Sequence, residues 1–361
     1  MSIQPGTRLG QYEVQDLIGQ GAMGVVYRAY HVQLERTGAV KVLQGLAPDT
    51  DSTARFRHEA QAIAQMRHPN IVNVFDFGEY EGTPYMIIEY VPGGSLASRM
   101  KQGSMETAAA LKYLRGMAAG LDYAHSLGII HRDVKPANVL LEKDESPVIA
   151  DFGLVKLMQS TSLRSMTGVT TGTPAYMSPE QVTGSKVGPA ADRYSLATIA
   201  YEMLTGSIPF DGEGLMEVLY AQVHRDPPLP STRNSSLSPQ VDAVVMRGLA
   251  KDPAARWESC TAFVDALAAA LAAKAERAVA RTVVMAPAAA STMPLAAPVV
   301  EAAAATPTRA DAVNPSATVA MPYPAPPQPV ARKKSRKGLF AAIAAAQDRK
   351  RAHLAPAAPL F

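Results

Sequence analysis

A chain of 361 residues, 47% of them apolar, is longer than one average domain and can bury a sizeable core. Its net charge of +3 is unevenly placed: residues 271–361 hold 12 Lys/Arg against 4 Asp/Glu, net +8, which leaves residues 1–270 at −5. That division argues against the globular part as a nucleic-acid binder, and a single cysteine, Cys260, excludes an intramolecular disulfide and fits a reducing cytosol.

Met1 to Pro5 contains no basic stretch leading into an apolar run, so no signal peptide is expected. Alternation marks strands at Tyr12–Ile18 and Val25–Tyr30, separated by a glycine-rich turn. Further strands are expected at Ala39–Leu43, Ile71–Phe77 and Tyr85–Tyr90. Between them Ala54–Met66 has helical spacing, with Phe56, Ile63 and Met66 on one side. A five-strand sheet with one helix thus ends near Val91.

After Pro92-Gly93-Gly94 the pattern turns helical. Ala108–Leu127 presents Leu111, Leu114, Met117, Ala118 and Leu121 on one face. Short strands are expected at Val139–Leu141 and Val148–Ala150. Gln159–Thr173 is rich in Ser, Thr and Gly and reads as a mobile loop. Helices follow at Ala190–Thr205, Gly214–Val223, Pro239–Ala250 and Cys260–Leu271. From Ala272 the chain is dominated by Ala, Pro, Val and Thr, a composition expected to stay disordered. Its longest late apolar run, Gly338 to Ala346, is far short of the roughly 20 residues of a spanning helix, so no transmembrane segment is expected.

Chemistry concentrates in short loops. Gly19-Gln20-Gly21-Ala22-Met23-Gly24-Val25-Val26 is a G-x-G-x-x-G-x-V turn. Its glycines let backbone approach phosphate without a side chain intervening. The residues that follow are strand-like, whereas in a dinucleotide fold the third glycine would open a helix. Lys41 lies in the apolar run Ala39–Val42, and Glu59 falls in the expected helix eighteen residues on. His131-Arg132-Asp133-Val134-Lys135-Pro136-Ala137-Asn138 precedes Asp151-Phe152-Gly153. Asp133 can accept a proton, Asn138 and Asp151 can hold a divalent cation, and Lys135 can steady a phosphate in transit. Together they describe phosphoryl transfer from a nucleotide to a hydroxyl.

These motifs, with Gly172-Thr173-Pro174-Ala175-Tyr176-Met177-Ser178-Pro179-Glu180, Asp192 and Arg256, come in one order over roughly residues 12–270. In that order the chain resembles the eukaryotic-type protein kinases, and among them the bacterial serine/threonine branch. The resemblance implies an α+β, two-lobed protein-kinase fold: a small antiparallel β-lobe with one helix (residues 12–91), then a large, mainly helical lobe (92–270). A disordered, basic, Ala/Pro-rich tail would occupy 271–361.

It also implies roles. Asp133 would orient the acceptor hydroxyl and take its proton. Asn138 and Asp151 would ligate Mg²⁺, with Mn²⁺ as an alternative. Lys135 would contact the γ-phosphate of ATP, a placement that resembles serine/threonine rather than tyrosine kinases. Lys41, paired with Glu59, would hold the α- and β-phosphates, and Thr173 would shape the acceptor site. Ile18, Val26, Ala39 and Leu140 would sandwich adenine. Glu89 and Val91 would supply backbone hydrogen bonds to the base, and Ile88 would guard the pocket behind. Phe152, His131 and Ile63 would stack as an apolar column. Glu180 and Arg256 would form a buried ion pair, and Asp192 would brace the Asp133 loop through backbone amides. Three positions depart from the pattern: Ser178 stands for alanine, Met23 for an aromatic, and Ala197 for glycine.

Arg132 beside Asp133 implies regulation by a phosphate on the Ser/Thr-rich loop. Ser165, Thr167, Thr170 and Thr171 are candidates for autophosphorylation, Thr167 and Ser165 foremost. In the tail, Thr282-Val283-Val284-Met285 and Thr318-Val319-Ala320-Met321 repeat a spacing suited to phosphothreonine readers such as forkhead-associated domains. The basic cluster Arg332–Lys337 reads either as a solvated basic end or as a segment in weak contact with anionic lipid. Two rival readings fit less well: a pseudokinase scaffold would lose Lys41, Asp133 or Asp151, and a small-molecule kinase would not need Gly172–Glu180. The expectation is a cytoplasmic enzyme of bacterial signalling acting on protein Ser/Thr hydroxyls.

Overall fold

The computed structural model describes residues 3–21, 24–43, 58, 60–103, 105–152, 174–212 and 214–284. The chain divides into two units, Met1–Ala289 and Ala290–Phe361, and every described residue belongs to the first.

The small lobe is a six-stranded antiparallel sheet: β1 (Arg8–Leu9), β2 (Tyr12–Gly21), β3 (Gly24–His31), β4 (Arg36–Leu43), β5 (Val74–Tyr80) and β6 (Thr83–Glu89), in the order β1-β2-β3-β4-β6-β5. The period of two sorts its side chains. Val25, Tyr27 and Ala29 enter a core with Tyr12, Val14, Val40, Val42 and Ile87, while Val26 points to the opposite face. At the turn between β2 and β3, Gly24 has φ +146° and a side chain there would overlap the Val42 carbonyl, so only glycine fits. Helix α1 is seen at residues 60–64, inside the expected 54–66.

Two strand expectations need correction. β1 is a sixth strand of two residues, too short for any alternation to show. β5 starts at Val74 rather than Ile71, because Ile71 bridges Ile149 in parallel and the Val72 N–H donates to the Ile149 carbonyl at 2.9 Å. The first half of that apolar run therefore ties the small lobe to the large one.

The large lobe contains α2 (Leu96–Met100), α3 (Thr107–Ser126), β7 (Val139–Leu141), β8 (Pro147–Ile149), α4 (Pro179–Thr183), α5 (Pro189–Thr205), α6 (Leu215–His224), α7 (Pro230–Arg233), α8 (Pro239–Gly248) and α9 (Cys260–Val284). The lobe is thus mainly helical, and the two-lobed arrangement expected from the motifs is present. α3 buries Leu114, Met117, Ala118 and Leu121, and α5 is buried on nearly every side, as suits a central helix. α2, α4 and α7 escaped the sequence reading because four or five residues carry no helical period. α9 runs thirteen residues past the expected end at Leu271. Alanine, the strongest helix former, fills this stretch, and no proline interrupts it before Pro287. Thr282 thus lies in helical backbone; residues 285–361, with Thr318 and the basic cluster, are outside the described residues. No helix among the described residues is long and apolar enough to cross a membrane.

Candidate functional site

The loop from His131 to Asn138 leaves α3 and enters β7 through a 3₁₀ turn at Pro136–Asn138. Arg132 sits at φ +69°, left-handed backbone that costs a non-glycine residue about 1 kcal/mol or more. It is held from several directions. The Arg132 and His131 N–H groups donate to the two carboxylate oxygens of Asp192, each at 2.8 Å. The Arg132 carbonyl accepts from Gln181 Nε2 at 2.7 Å. Gln181 is itself fixed, because its Oε1 accepts from the Ser178 N–H at 3.1 Å and hydroxyl at 3.0 Å. The departure at Ser178 therefore has a consequence: the serine begins α4 and orients the amide that grips the loop.

Asp192, in the first turn of α5, is 1% exposed and also accepts from His125 Nε2 at 2.8 Å. Burial works against its ionisation, but the hydrogen bond and charge of His125, the charge of His131 and the Arg132 amide outweigh it and hold the carboxyl below its ordinary value. His131 is fully buried. Its Nε2 meets the Ala150 carbonyl at 2.8 Å and its ring lies 4.5 Å from that of Phe152, joining the loop to the end of β8.

Five functional side chains gather above this frame. Asp133 Oδ2 accepts from Lys135 Nζ at 2.7 Å and from Asn138 Nδ2 at 2.9 Å. Asn138 Nδ2 also reaches the Asp133 carbonyl at 2.8 Å, which leaves the Asn138 side-chain oxygen unused among the described residues. Asp151, at φ +67°, forms an ion pair with Lys41 Nζ at 2.6 Å. Lys41 is 7% exposed in β4, at the centre of the sheet. Glu59, its expected partner, lies outside the described residues, and the observed partner is Asp151.

Lys41, Asn138 and Asp151 line one end of a cleft of about 520 Å³ between the lobes, and Asn138 joins it to Asp133 and Lys135, which do not line it. Ile18, Gly19, Val26, Ala39 and Leu140 form its apolar walls; Lys41, Asn138 and Asp151 its polar end; Glu89 to Val91 its outer edge. Val25 belongs instead to the small-lobe core, and Gln20, Gly21 and Gly24 shape the turn without lining the cleft. The Glu89 N–H is already bonded to the Asn73 carbonyl at 2.9 Å, whereas Val91 has no backbone partner among the described residues. Asn73, which also binds the Glu89 carboxylate at 2.8 Å, carried no signal in the sequence. Behind Ile88 a cavity of about 20 Å³ is lined by Ile63, Met86 and Phe152. Ala22, Met23, Thr173, Ser165, Thr167, Thr170 and Thr171 lie outside the described residues.

Beside Pro136 a second groove of about 690 Å³ is bordered by Tyr176, Glu202 and α2. The Tyr176 hydroxyl donates to Glu202 at 2.6 Å. Burial raises the Glu202 carboxyl above its ordinary value, with the tyrosine hydrogen bond partly offsetting it. Below, Glu180 and Arg256 pair bidentately at 2.7 and 2.8 Å. The guanidinium satisfies its remaining donors on the carbonyls of Ala190, Ala250 and Lys251 and lies 4.9 Å from the Tyr194 ring.

The donor set suits a magnesium nucleotide. An amide oxygen and a carboxylate face one cleft and are hard oxygen ligands. An ammonium stands beside them, and apolar walls suit a planar base.

Residues 12–267 match the family described as protein kinase domain. Similar proteins include the serine/threonine-protein kinase PksC of Streptomyces coelicolor, 39% identical over 71% of this chain and 48% of its own length. The serine/threonine-protein kinase PknJ of Mycobacterium tuberculosis is 39% identical over 74% of this chain and 47% of its own. The chain thus spans about half the length of these curated relatives. Among solved structures, the kinase domain of Mycobacterium tuberculosis PknI superposes with a TM-score of 0.61 at 32% identity. The match covers 74% of this chain and 99% of that one.

Proposed function

The chain belongs to the protein kinase family, and from that premise we propose that residues 12–270 transfer the γ-phosphoryl group of ATP to serine and threonine hydroxyls of proteins. One observation carries the reading: Asp133 Oδ2 accepts from both Lys135 and Asn138, while Lys41, Asn138 and Asp151 share one cleft. Asp133 orients the acceptor hydroxyl and takes its proton. Lys135 and Lys41 balance phosphate charge from either side, Lys41 assisted by Glu59. Asn138 and Asp151 are the residues that would hold Mg²⁺ or Mn²⁺; a bound cation supplies charge neutralisation as the phosphoryl group moves. Adenine packs between Ile18, Val26, Ala39 and Leu140, with Val91 at the edge offering backbone groups that have no partner among the described residues. The acceptor segment enters along the groove beside Pro136, with Thr173 shaping its end.

Regulation belongs to the same proposal. Autophosphorylation within Ser165, Thr167, Thr170 and Thr171 supplies a partner for the Arg132 guanidinium, which makes no ion pair among the described residues. Phosphorylated Thr282 and Thr318 are docking sites for forkhead-associated partners, and the basic cluster at 332–337 gives weak contact with anionic membrane. A cytosolic setting, with ATP at hand, goes with this reading.

One labelling reaction tests these points together. The purified chain, given γ-labelled ATP, Mg²⁺ and a mixed protein acceptor, is expected to yield phosphoserine and phosphothreonine, with label mapping to 165–171 and to both tail threonines. Phosphotyrosine alone would overturn the acceptor class; an unlabelled 165–171 segment in active enzyme would overturn the regulatory part.

A further inference from the structure

In the large lobe the end of α3 meets the start of α9, where Asp122 caps the backbone of Cys260 and Thr261. Asp122 and His125 are one helical turn apart on α3, and Cys260 opens α9. A carboxylate oxygen of Asp122, a ring nitrogen of His125 and the Cys260 thiol all lie within 4.8 Å of one another. We propose that these three residues form a binding site for a thiophilic divalent cation of the Zn²⁺ class, separate from the nucleotide cleft.

The second observation is His125 Nδ1. The side chain is 9% exposed, and Nδ1 is a buried polar atom without a hydrogen-bond partner. A buried polar atom is destabilising while it stays unpaired. Its orientation is set from the other side of the ring, where Nε2 lies 2.8 Å from Asp192 Oδ2. Both Asp192 oxygens also receive backbone amides, which fix the carboxylate and with it the ring, so that Nδ1 is turned toward Asp122 and Cys260. An imidazole held by a carboxylate on one nitrogen and presenting the other is the arrangement that outer-shell carboxylates give to metal-binding histidines.

The other two ligands fit. Asp122 accepts from the Cys260 and Thr261 N–H groups at 2.9 and 2.8 Å, one per oxygen, and the Cys260 thiol also reaches this carboxylate, a contact that metal binding would replace. Zinc bonds of about 2.0–2.3 Å at tetrahedral angles place donor atoms about 3.3–3.8 Å apart, so the widest pair need close by only about 1 Å. Thiolate and carboxylate together match a divalent charge. Binding exchanges the thiol proton for the metal: the S–H bond breaks, an S–metal bond forms, and the proton leaves to water. Asp122 is half-buried and offers the way in. An ion here would fix His125, and through Asp192 the amides of His131 and Arg132, so the site lies one side chain from the Asp133 loop.

Cys260 is the only cysteine, which makes cobalt a specific probe. The full chain, stripped with chelator under reducing conditions, is titrated with Co²⁺. One thiolate-to-cobalt charge-transfer band saturating at one equivalent and displaced by Zn²⁺ is expected. Cobalt between Asn138 and Asp151 gives no such band, since neither carries sulfur. Cys260→Ala should abolish the band. Asp122→Asn should weaken binding by at least the ~10–100-fold typical of losing even an outer-shell partner. Circular dichroism checks that the variants fold; should either fail, the wild-type band alone decides whether Cys260 is a ligand. No band in wild type, or full-affinity binding in folded Asp122→Asn, would overturn the site.

Discussion

Arg132 and Asp151 place strained backbone inside the site, while Glu35, Glu81 and Glu145, the other described non-glycine residues at positive φ, do not line the cleft. Such strain survives only where neighbours over-determine it, and for Arg132 the neighbours are Asp192 and Gln181. The same economy of buried polar groups governs Glu180 and Arg256. Their side chains are 6% and 0% exposed, and the guanidinium has no water to fall back on. Glu180→Ala is therefore expected to cost about 3–5 kcal/mol by leaving a buried charge alone. Urea denaturation measures it, and a loss under about 1 kcal/mol would contradict the account. Lys251 makes a pH prediction. Its ammonium donates to the Gln222 carbonyl at 2.8 Å and lies over the Phe210 ring. Burial chiefly, with the charge of Arg256, pushes its pKa from the usual 10.5 down to about 8 against the pull of Asp226. Between those values the unfolded chain holds a proton that the folded chain has released, so folding gains as pH rises. Relative to Lys251→Met, wild type should gain in urea midpoint from pH 8 to 10; a constant difference would contradict this. Among single residues, the sequence made charged motif members legible because their chemistry is scarce. Gln181 and Asn73 were not legible, since an amide that orients a neighbour leaves no periodic trace.

At the scale of elements, long helices and alternating strands were readable to within a few residues because burial imposes their period. What stayed hidden were β1, α2, α4 and α7, too short for a period, and the far end of α9, where alanine-rich sequence suits helix and tail alike. Tertiary pairing, not local pattern, moved the start of β5 past Ile71. One element contact explains a departure from the family pattern. Ala197 on α5 stands where glycine is usual, and a side chain on Gly248 of α8 would come within 2.6 Å of its Cβ. The small residue has changed helices. Gly248→Ala should overpack this crossing and cost about 1–3 kcal/mol, and the same change in an Ala197→Gly background should cost clearly less. Equal costs in both backgrounds, read by thermal melting, would show that the two positions do not share the space.

For the whole molecule, the charge division made the organisation legible early: an acidic catalytic unit, proposed as 12–270, followed by a basic segment of another composition. Motif order made the two-lobed arrangement legible, because the early motifs fall in the sheet and the later ones in the helical lobe. Composition could not mark where α9 stops, since alanine suits helix and tail alike. The stripped-down requirement is that both lobes contribute, Lys41 from the sheet and Asp133 from the loop behind it, with Asp151 between them. The most direct measurement is transfer of labelled γ-phosphate from ATP to protein by the wild-type chain beside Asp133→Asn. The account predicts label on protein with wild type and at least a ~100-fold lower rate in the variant, the scale of losing a catalytic base; equal labelling by the two proteins would contradict it.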